Sequence, residues 1–239
     1  MIGWRSRLGF LVPPGNPTVE AEMAELAPAG VSVHFTRMTA SGAAGTHAGQ
    51  EERNRQQLAS VDSCVALLSM VQPDVIVLAH TATSYTLGRE RERQLVERVR
   101  KASGINFITA FGSVIEAFRK LDVKRVAYAT PYSTETTLLG KKHIEEYGLE
   151  VVSYGHLDNV RNIYEENCER AYAIARQVDT PEADAVFLSG VGMPTIGALQ
   201  TLEDDLGKPV FSAAAAMMWN ALRTAGVRTA KPGYGRLFG

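Results

Sequence analysis

Short apolar runs recur along the chain, and each is followed by a few polar residues and a longer amphipathic segment. The clearest run is Asp74–Ala79 (DVIVLA), in which polar and apolar residues do not alternate. A strand without alternation is covered on both faces, which is typical of an inner strand in a parallel sheet flanked by helices. Amphipathic segments at about residues 51–69 and 88–103 predict two of these helices. The hydrophobic pattern therefore predicts an α/β fold.

The second half of the chain repeats this pattern at an offset of about 110 residues. Asp184 stands where Asp74 stands in the first half, and Pro131 stands where Pro13 stands. A repeat of this length is too long for a solenoid and indicates two similar half-domains, each with four parallel strands. The paired segments are Leu8–Gly15 with Arg125–Ser133, Gly30–Thr36 with Gly148–Tyr154, Pro73–Gly88 with Ala183–Thr195 and, more loosely, Asn106–Thr109 with Pro209–Ser212.

Composition narrows the classes of partner. The 239 residues are 45% hydrophobic and 21% charged, with a net charge of −1. We expect no nucleic-acid or anionic-membrane partner, because both favour a basic surface. The chain has no run of about eighteen apolar residues and its start has no cleavage signal, so we expect a cytoplasmic location. The two cysteines, Cys64 and Cys168, lie in amphipathic helical patterns, where we expect them to act as small hydrophobic residues.

Polar side chains cluster directly after the strand Asp74–Ala79. In an open α/β sheet, ligands bind beyond the carboxyl ends of the strands, where side chains and free N–H groups converge. The sequence therefore predicts a ligand site at this cluster, which consists of His80, Thr81, Thr83, Ser84 and Tyr85.

Other loops add candidates to this site. Asn16 lies in a rigid Pro-rich turn, where it either hydrogen-bonds a substrate carboxylate or is an ordinary turn residue. The glycine-rich segment 41–50 lacks the ending of a phosphate loop, so we interpret it as a lid with Arg37 and His47 as candidate ligands of a carboxylate. For His47, a solvated loop position is the competing interpretation.

The second half of the chain adds further candidates. Tyr132 either donates to an oxyanion or caps the core, and Asn159 and Asn162 are weaker candidates.

The C-terminal segment 231–239 is rich in glycine and aromatic residues. This composition predicts an arm or linker that packs on a neighbour. Homo-oligomerisation therefore stays open.

Several motifs together resemble the aspartate/glutamate racemase superfamily and, within it, the branch of maleate cis-trans isomerase and arylmalonate decarboxylase. The motifs are VPPGNPTVE at 12–20, FTRM at 35–38, ATPY at 129–132 and LSGVGMPT at 188–195. The resemblance implies two flavodoxin-like lobes, each a four-stranded parallel sheet flanked by helices, related by a pseudo-twofold with the active site between them. It places the first lobe at 1–112 plus 213–239 and the second at 113–212. The helix after the fourth strand would cross into the second lobe, and the C-terminal helix would return.

The resemblance also implies chemistry without metal or organic cofactor, on the carbon next to a carboxylate. Racemases and isomerases of this superfamily typically use one cysteine from each lobe, and the decarboxylases keep only the second. In this sequence the two cysteine positions hold His80 and Gly190. We therefore expect His80 to be the acid or base, with Tyr132 as the second catalytic residue.

A polar cradle for the substrate carboxylate follows from the same resemblance. Its expected substrate-binding residues are Asn16, Thr81, Ala82, Ser84, Ser133, Gly190, Val191 and Gly192. Because glycine replaces a cysteine at position 190, we also expect a wider second-lobe side of the cleft, lined by Met193.

Three hypotheses about function remain open from the sequence. The first is a cofactor-independent decarboxylase or isomerase that acts on a small carboxylate or dicarboxylate through a stabilised enediolate. The second is a hydrolase or hydratase on the same scaffold, in which His80 activates water. The third is a non-catalytic protein that binds a small acid. The sequence gives neither the substrate nor the stereochemistry.

Overall fold

The computed structural model describes residues 2–239, so Met1 of the expected first lobe lies outside the described residues. The strands in this part of the chain are β1 Ser6–Val12, β2 Val31–Arg37, β3 Val75–Leu78, β4 Asn106–Thr109, β5 Arg125–Thr130, β6 Glu150–His156, β7 Ala185–Leu188 and β8 Val210–Ser212. Its α-helices are α1 Thr18–Leu26, α2 Gln50–Ala59, α3 Val61–Ser69, α4 Thr81–Ser103, α5 Ala110–Lys120, α6 Thr134–Glu145, α7 Cys168–Val178, α8 Leu199–Leu206 and α9 Ala213–Thr224.

The strands form two parallel four-stranded sheets with the same order, β2-β1-β3-β4 and β6-β5-β7-β8. The predicted repeat is confirmed in detail at its two aspartates. Asp74 Oδ2 accepts from the N–H of Arg7 at 3.0 Å, and Asp184 Oδ2 accepts from the N–H of Arg125 at 2.8 Å. Each aspartate thus ties the start of the third strand of its lobe to the start of the first.

Two helices connect the lobes. Phe118 of α5 packs edge-on against Phe187 and Phe211 of the second sheet, with ring centroids 5.6 and 5.0 Å apart. Helix α9 contacts α5, α1 and β3, so it lies against the first lobe. This arrangement agrees with the crossover that the resemblance implies, and the exact boundaries of the lobes stay a prediction.

Two predicted helices differ in detail from the structure. The segment predicted at about 51–69 divides into α2 and α3 at Ser60. The helix predicted from Gly88 begins earlier, at Thr81, and Gly88 interrupts it with φ 72° and ψ 164°. Glycine tolerates a positive φ at this position. The first two turns of α4, which lie next to the cleft, can therefore run in a different direction from the rest of the helix.

The C-terminal segment is not the arm that its composition predicts. Leu237 and Phe238 are 1% and 3% exposed and belong to the main core. Tyr234 Oη donates to Glu25 of α1 at 2.9 Å, and the N–H of Arg236 donates to Glu203 of α8 at 2.8 Å. The segment therefore packs on both lobes of its own chain. None of the helices among residues 2–239 is long and apolar enough to span a membrane.

Glu22 of α1 is a buried carboxyl group at the contact between the lobes. Its Oε1 accepts from the N–H groups of Thr195 and Ile196 at 2.6 and 3.1 Å. Burial raises the pKa of Glu22 to about 7, although these two hydrogen bonds oppose the shift. The folded protein therefore holds this proton at pH values where the unfolded chain has lost it.

We predict that Glu22 makes the protein less stable as the pH rises. The penalty begins above the carboxyl pKa of the unfolded chain and grows until the pH passes about 7. In Glu22→Gln, which keeps an oxygen acceptor but does not titrate, the free energy of unfolding should fall less between pH 5 and 8, by about 3 kcal/mol at most. Urea unfolding at several pH values measures this. The exposed Glu150→Gln is the matched control, and equal pH slopes for Glu22→Gln and wild type would contradict the prediction.

Candidate active site

The carboxyl ends of the two sheets enclose a cavity of about 30 Å³ between the lobes. Every side of it is formed by a loop or helix start that follows a strand, together with one face of α2. The lining residues are Asn16, Gly45, Thr46, Gln50, Arg53, Asn54, Gln57, His80, Tyr132, Ile163, Tyr164, Val191 and Gly192.

His80 lies between β3 and α4 and is 8% exposed. Its backbone is extended, with φ −155° and ψ 115°, and it precedes the first helical residue. The imidazole Nδ1 is buried without a hydrogen-bond partner in the protein. Burial lowers the pKa of His80 to about 4, and the nearby Arg53 cation lowers it further in the same direction. At neutral pH the cavity therefore contains a neutral imidazole.

Arg53 of α2 brings a buried positive charge to the cavity, and sequence reasoning missed it. Its guanidinium donates to the carbonyl oxygen of Ala48 at 2.6 Å and to that of Thr46. Burial lowers the pKa of Arg53, but an arginine keeps its proton at any physiological pH. The sequence feature that could have indicated it is the spacing of Arg53, Asn54 and Gln57. This spacing places three polar side chains on one face of a helix.

The first turn of α4 also faces the cleft. The first N–H groups of a helix have no acceptor within the helix, and no side chain caps α4. These N–H groups therefore attract an anion. Thr81 Oγ1 is 2.9 Å from Tyr132 Oη, and this hydrogen bond crosses from one lobe to the other. The Ala82 carbonyl oxygen accepts from Asn54 Nδ2 at 3.3 Å. The structure thus brings His80, Thr81, Ala82 and Tyr132 together as the sequence predicts.

Tyr132 is a protonated phenol in this site. Burial is the main cause that raises its pKa above the usual range, and the hydrogen bond between Thr81 and Tyr132 only partly opposes this shift. Its ring packs edge-on against Tyr85, with centroids 6.4 Å apart. The Tyr132 hydroxyl is therefore held in one orientation as a hydrogen-bond donor.

The segment of residues 41–49, which we call the lid loop, closes the cavity from the first lobe. The Gly45 carbonyl oxygen accepts from the N–H of Ile163 at 2.8 Å, and His47 Nε2 lies 3.0 Å from the Pro131 carbonyl oxygen. His47 therefore bridges the lobes and is not a solvated loop residue. Arg37 does not reach the cavity, because it binds the carbonyl groups of the β1–α1 turn and pairs with Glu20 at 2.8 Å.

Tyr164 is a second lining residue that sequence reasoning missed. Burial raises the pKa of this phenol. A side chain at Gly45 or Gly192 would collide with the Tyr164 ring, since the added Cβ would lie 2.7 and 2.8 Å from it. Glycine at both positions lets the lid loop and the loop after β7 close on the ring. Asn162 caps the turn before Tyr164 by accepting from its N–H at 2.9 Å.

Asn16, Val191 and Gly192 line the cavity, but their hydrogen bonds also join the lobes. Asn16 Oδ1 accepts from the N–H groups of Thr18 and Val19 at 2.8 and 3.0 Å, and Asn16 Nδ2 donates to the Val191 carbonyl oxygen at 3.0 Å. Thr18 Oγ1 donates to the Gly192 carbonyl oxygen at 2.7 Å. The side chain of Asn16 thus caps α1 and holds the opposite lobe.

Five predicted binding residues lie outside the cavity lining: Thr81, Ala82, Ser84, Ser133 and Gly190. Ser84 Oγ donates to the buried Glu92 at 2.6 Å. Ser133 caps α6 by accepting from the N–H of Thr136 at 3.3 Å. The hydroxyl groups of Ser84 and Ser133 are thus used within the protein. The side chain of Asn159 is likewise absent from the lining.

Gly190 does not widen the cleft, contrary to the sequence-based expectation. It has φ +88°, and an added Cβ would lie 2.8 Å from Cγ of Pro131. The Pro131 ring therefore occupies the space that a second-lobe cysteine side chain would need. Met193 is fully buried in the core and does not line the cavity.

We predict that Gly190→Ala destabilises the protein more than Gly104→Ala does. Both glycines have positive φ, at 88° and 70°, but an added Cβ meets no atom within 4 Å at Gly104. The control should lose about 1–2 kcal/mol from the left-handed backbone alone. Gly190→Ala should lose more because it also meets the Pro131 ring. Urea unfolding measures both losses, and equal losses would show that Pro131 yields to the new methyl group.

The two cysteines lie away from the cavity. Cys64 is buried in the cluster between α3 and the first sheet, and Cys168 begins α7. Burial raises the pKa of both thiols, so neither is an activated thiolate.

We therefore predict that the double variant Cys64→Ala with Cys168→Ala keeps its activity and its ligand affinity. Calorimetric titration with small acids and a turnover assay test this, with the melting temperature as a check on folding. A large loss of turnover in a variant that melts like wild type would place a thiol in the chemistry.

The fold and the cavity define a class of two-lobed α/β proteins with a polar, cationic site between the lobes. The sequence model described as arylmalonate decarboxylase matches residues 8–238, and the chain belongs to this family. A maleate isomerase of Nocardia farcinica is 32% identical and covers 97% of this chain and 94% of its own. An arylmalonate decarboxylase of Bordetella bronchiseptica is 30% identical, with 97% and 95% covered.

Solved structures agree with this assignment. A maleate isomerase of Pseudomonas putida, in a cysteine-to-alanine form with maleate, has a TM-score of 0.89 and 29% identity over 98% of this chain and 97% of that one. Unliganded arylmalonate decarboxylase has a TM-score of 0.83 and 26% identity over 98% of both chains. The superfamily branch inferred from the motifs is confirmed, and the chain is an enzyme of the isomerase and decarboxylase type.

Proposed function

We propose that the protein is a cofactor-independent enzyme that binds a small dicarboxylate between its lobes and decarboxylates or isomerises it through an enediolate. The observation that carries the proposal is the position of His80. This residue follows β3 where the resemblance places a family cysteine, it lines the cavity, and its buried Nδ1 has no hydrogen-bond partner in the protein. An imidazole there exchanges protons in place of a thiol.

Carboxylate binding is supported by the charges around the cavity. Arg53 supplies a buried cation, and the uncapped first turn of α4 supplies N–H groups on the side of His80. Tyr132 adds a hydroxyl donor. Because Arg53 and Tyr132 are buried, their interactions with a bound carboxylate are stronger than they would be at the surface.

The same donors stabilise the charge that develops during reaction. In a decarboxylation, the bond between the α-carbon and one carboxylate breaks, carbon dioxide leaves, and the electron pair stays as the enediolate of the remaining carboxylate. The negative charge of the bound substrate raises the pKa of His80, which then gives a proton to the α-carbon and regains one from water. In an isomerisation that inverts the α-carbon, neutral His80 removes the α-proton to give the enediolate, and the Tyr132 hydroxyl gives a proton to the opposite face. Exchange with water then returns a proton to Tyr132 and removes the one that His80 took up.

A thiol mechanism is not supported for this chain. A cysteine-to-serine form of the Nocardia farcinica maleate isomerase carries a covalently bound succinylcysteine intermediate. No cysteine lines the cavity formed by residues 16–192 of this protein. Proton transfer by His80 is therefore the route that fits the residues present.

We also propose a reducing, cytoplasmic location, which the two free cysteines support. A net charge of −1 supports a small molecule, and neither nucleic acid nor membrane, as the partner. We propose in addition that the first lobe consists of residues 1–112 and 213–239 and the second lobe of residues 113–212. Homo-oligomerisation stays open.

We predict that His80→Ala abolishes turnover and that Tyr132→Phe lowers kcat/KM by roughly a hundredfold, the effect of losing one preorganised donor. Proton NMR in deuterated water measures this with malonates, maleate, aspartate, glutamate and hydroxy acids, because decarboxylation, isomerisation and exchange all change the spectrum. The double cysteine-to-alanine variant is the matched control and should behave like wild type.

Two results would overturn the proposal. Full activity of His80→Ala would move the proton transfer to another group. Unchanged spectra for every acid with wild-type protein would reject carbon-acid chemistry on this substrate class.

A further inference from the structure

Three buried polar atoms of the cavity lining have no hydrogen-bond partner in the protein: Asn54 Oδ1, Gln57 Oε1 and His80 Nδ1. Elsewhere among residues 2–239, four more buried atoms have no hydrogen-bond partner. Two of them, Glu22 Oε2 and Thr195 Oγ1, lie at the contact between the lobes. The other two belong to Glu166 and Asp179, and each lies 2.9 Å from a cationic nitrogen of Arg170 or Lys208. A buried polar atom without a hydrogen-bond partner destabilises the folded protein. We therefore expect a ligand bound in the cavity to supply the missing partners.

The orientation of the Asn54 amide is fixed by its neighbours. Its Nδ2 donates to the Ala82 carbonyl oxygen at 3.3 Å and to Thr86 Oγ1 at 3.0 Å. A backbone carbonyl only accepts, so the nitrogen must face Ala82 and the oxygen must be free. Asn54 is 3% exposed and lines the cavity. It therefore presents a hydrogen-bond acceptor to whatever binds there.

Gln57 strengthens this acceptor surface. It follows Asn54 by three residues on α2, so both amides lie on the helix face that closes the cavity. Gln57 is 4% exposed. A dicarboxylate alone satisfies neither oxygen, because ionised carboxylates only accept hydrogen bonds.

We propose that the substrate carries, besides its carboxylates, an uncharged hydrogen-bond donor, a hydroxyl or a carboxamide N–H, that binds Asn54 Oδ1. The inference rests on the proposed function, because it concerns the same cavity and specifies the substrate class. An ammonium donor is disfavoured, since the Arg53 cation lies in the same lining and already lowers the pKa of His80.

The lining of the cavity is polar, so water competes with the substrate group for these atoms. A ligand hydroxyl that displaces this water keeps the hydrogen bond to Asn54. A methyl group of similar size displaces it and leaves the amide oxygen unpaired, which costs affinity. Matched pairs of acids therefore isolate the contribution of the donor.

The first test uses wild-type protein and two such pairs: hydroxymalonate against methylmalonate, and hydroxysuccinate against methylsuccinate. Calorimetry gives Kd, and proton NMR in deuterated water gives turnover and exchange. We expect the hydroxyl member of at least one pair to bind about tenfold tighter or better, the effect of one buried hydrogen bond.

The second test uses Asn54→Leu, which removes the acceptor. The preference for the hydroxyl member should fall to about one, while the matched control Asn220→Leu should keep it. Asn220 is half-buried and donates to Ser113 Oγ at 3.2 Å, outside the cavity lining. Melting curves establish that both variants are folded, and the wild-type pairs decide the question if Asn54→Leu is not.

Failure of this inference and failure of the proposed function are distinguishable. Equal affinity of both members of each pair for wild type, or an undiminished preference in folded Asn54→Leu, overturns the inference even if acids turn over. A clear hydroxyl preference without turnover or exchange supports the inference and overturns the catalytic proposal. Absence of binding by every acid overturns both.

Discussion

The contact between the start of α1 and the loop after β7 is the constraint on which the site depends. Asn16 and Thr18 donate to the carbonyl oxygens of Val191 and Gly192, and Glu22 accepts from the N–H of Thr195. All three side chains are buried, so each broken bond would leave a polar group without water. These bonds hold the carboxyl ends of the two sheets face to face. Together with the bond between Thr81 and Tyr132 and the bonds of the lid loop to the second lobe, they close the cavity.

Enclosure sets the electrostatics of the site. The same burial that keeps His80 neutral leaves Arg53 charged, because an imidazole gives up its proton far more readily than a guanidinium does. A cation beside a neutral base is an arrangement that binds an anion first and changes the protonation of the base afterwards. The lid loop holds the Arg53 guanidinium in this arrangement, since Arg53 donates to the carbonyl groups of Thr46 and Ala48 within that loop.

Much of the fold was predictable from the sequence, because strand burial and the repeat are local patterns. The unbroken apolar run at Asp74–Ala79 predicted an inner parallel strand, and Asp184 marked its counterpart. The break at Gly88 and the packing of the C-terminal segment were not predictable in this way. The packing of the C-terminal segment depends on contacts with residues far away in the chain, such as Glu25 and Glu203.

The candidate site was only partly predictable for a related reason. His80, Thr81 and Tyr132 follow strands directly, so the strand pattern located them. Arg53, Asn54 and Gln57 lie on a strongly polar helix, where the sequence alone does not distinguish a solvated face from one that closes a cavity. The prediction that Gly190 widens the cleft was wrong for a different reason. A smaller residue suggests space, but its neighbour Pro131 fills that space, and only the three-dimensional structure contains this information.

Loss of two thiols from such a site changes what the enzyme must obtain from its substrate. A cysteine adds to a carbon and holds it through a covalent bond, whereas an imidazole that transfers protons leaves the substrate held by non-covalent contacts alone. Orientation must then come from additional contacts. The amide oxygens of Asn54 and Gln57 are suited to this purpose because both are buried and unpaired within the protein, and two hydrogen bonds fix the orientation of the Asn54 amide. A histidine in place of the thiol therefore goes together with a substrate that carries a hydrogen-bond donor. Both follow from the change from covalent chemistry to proton transfer.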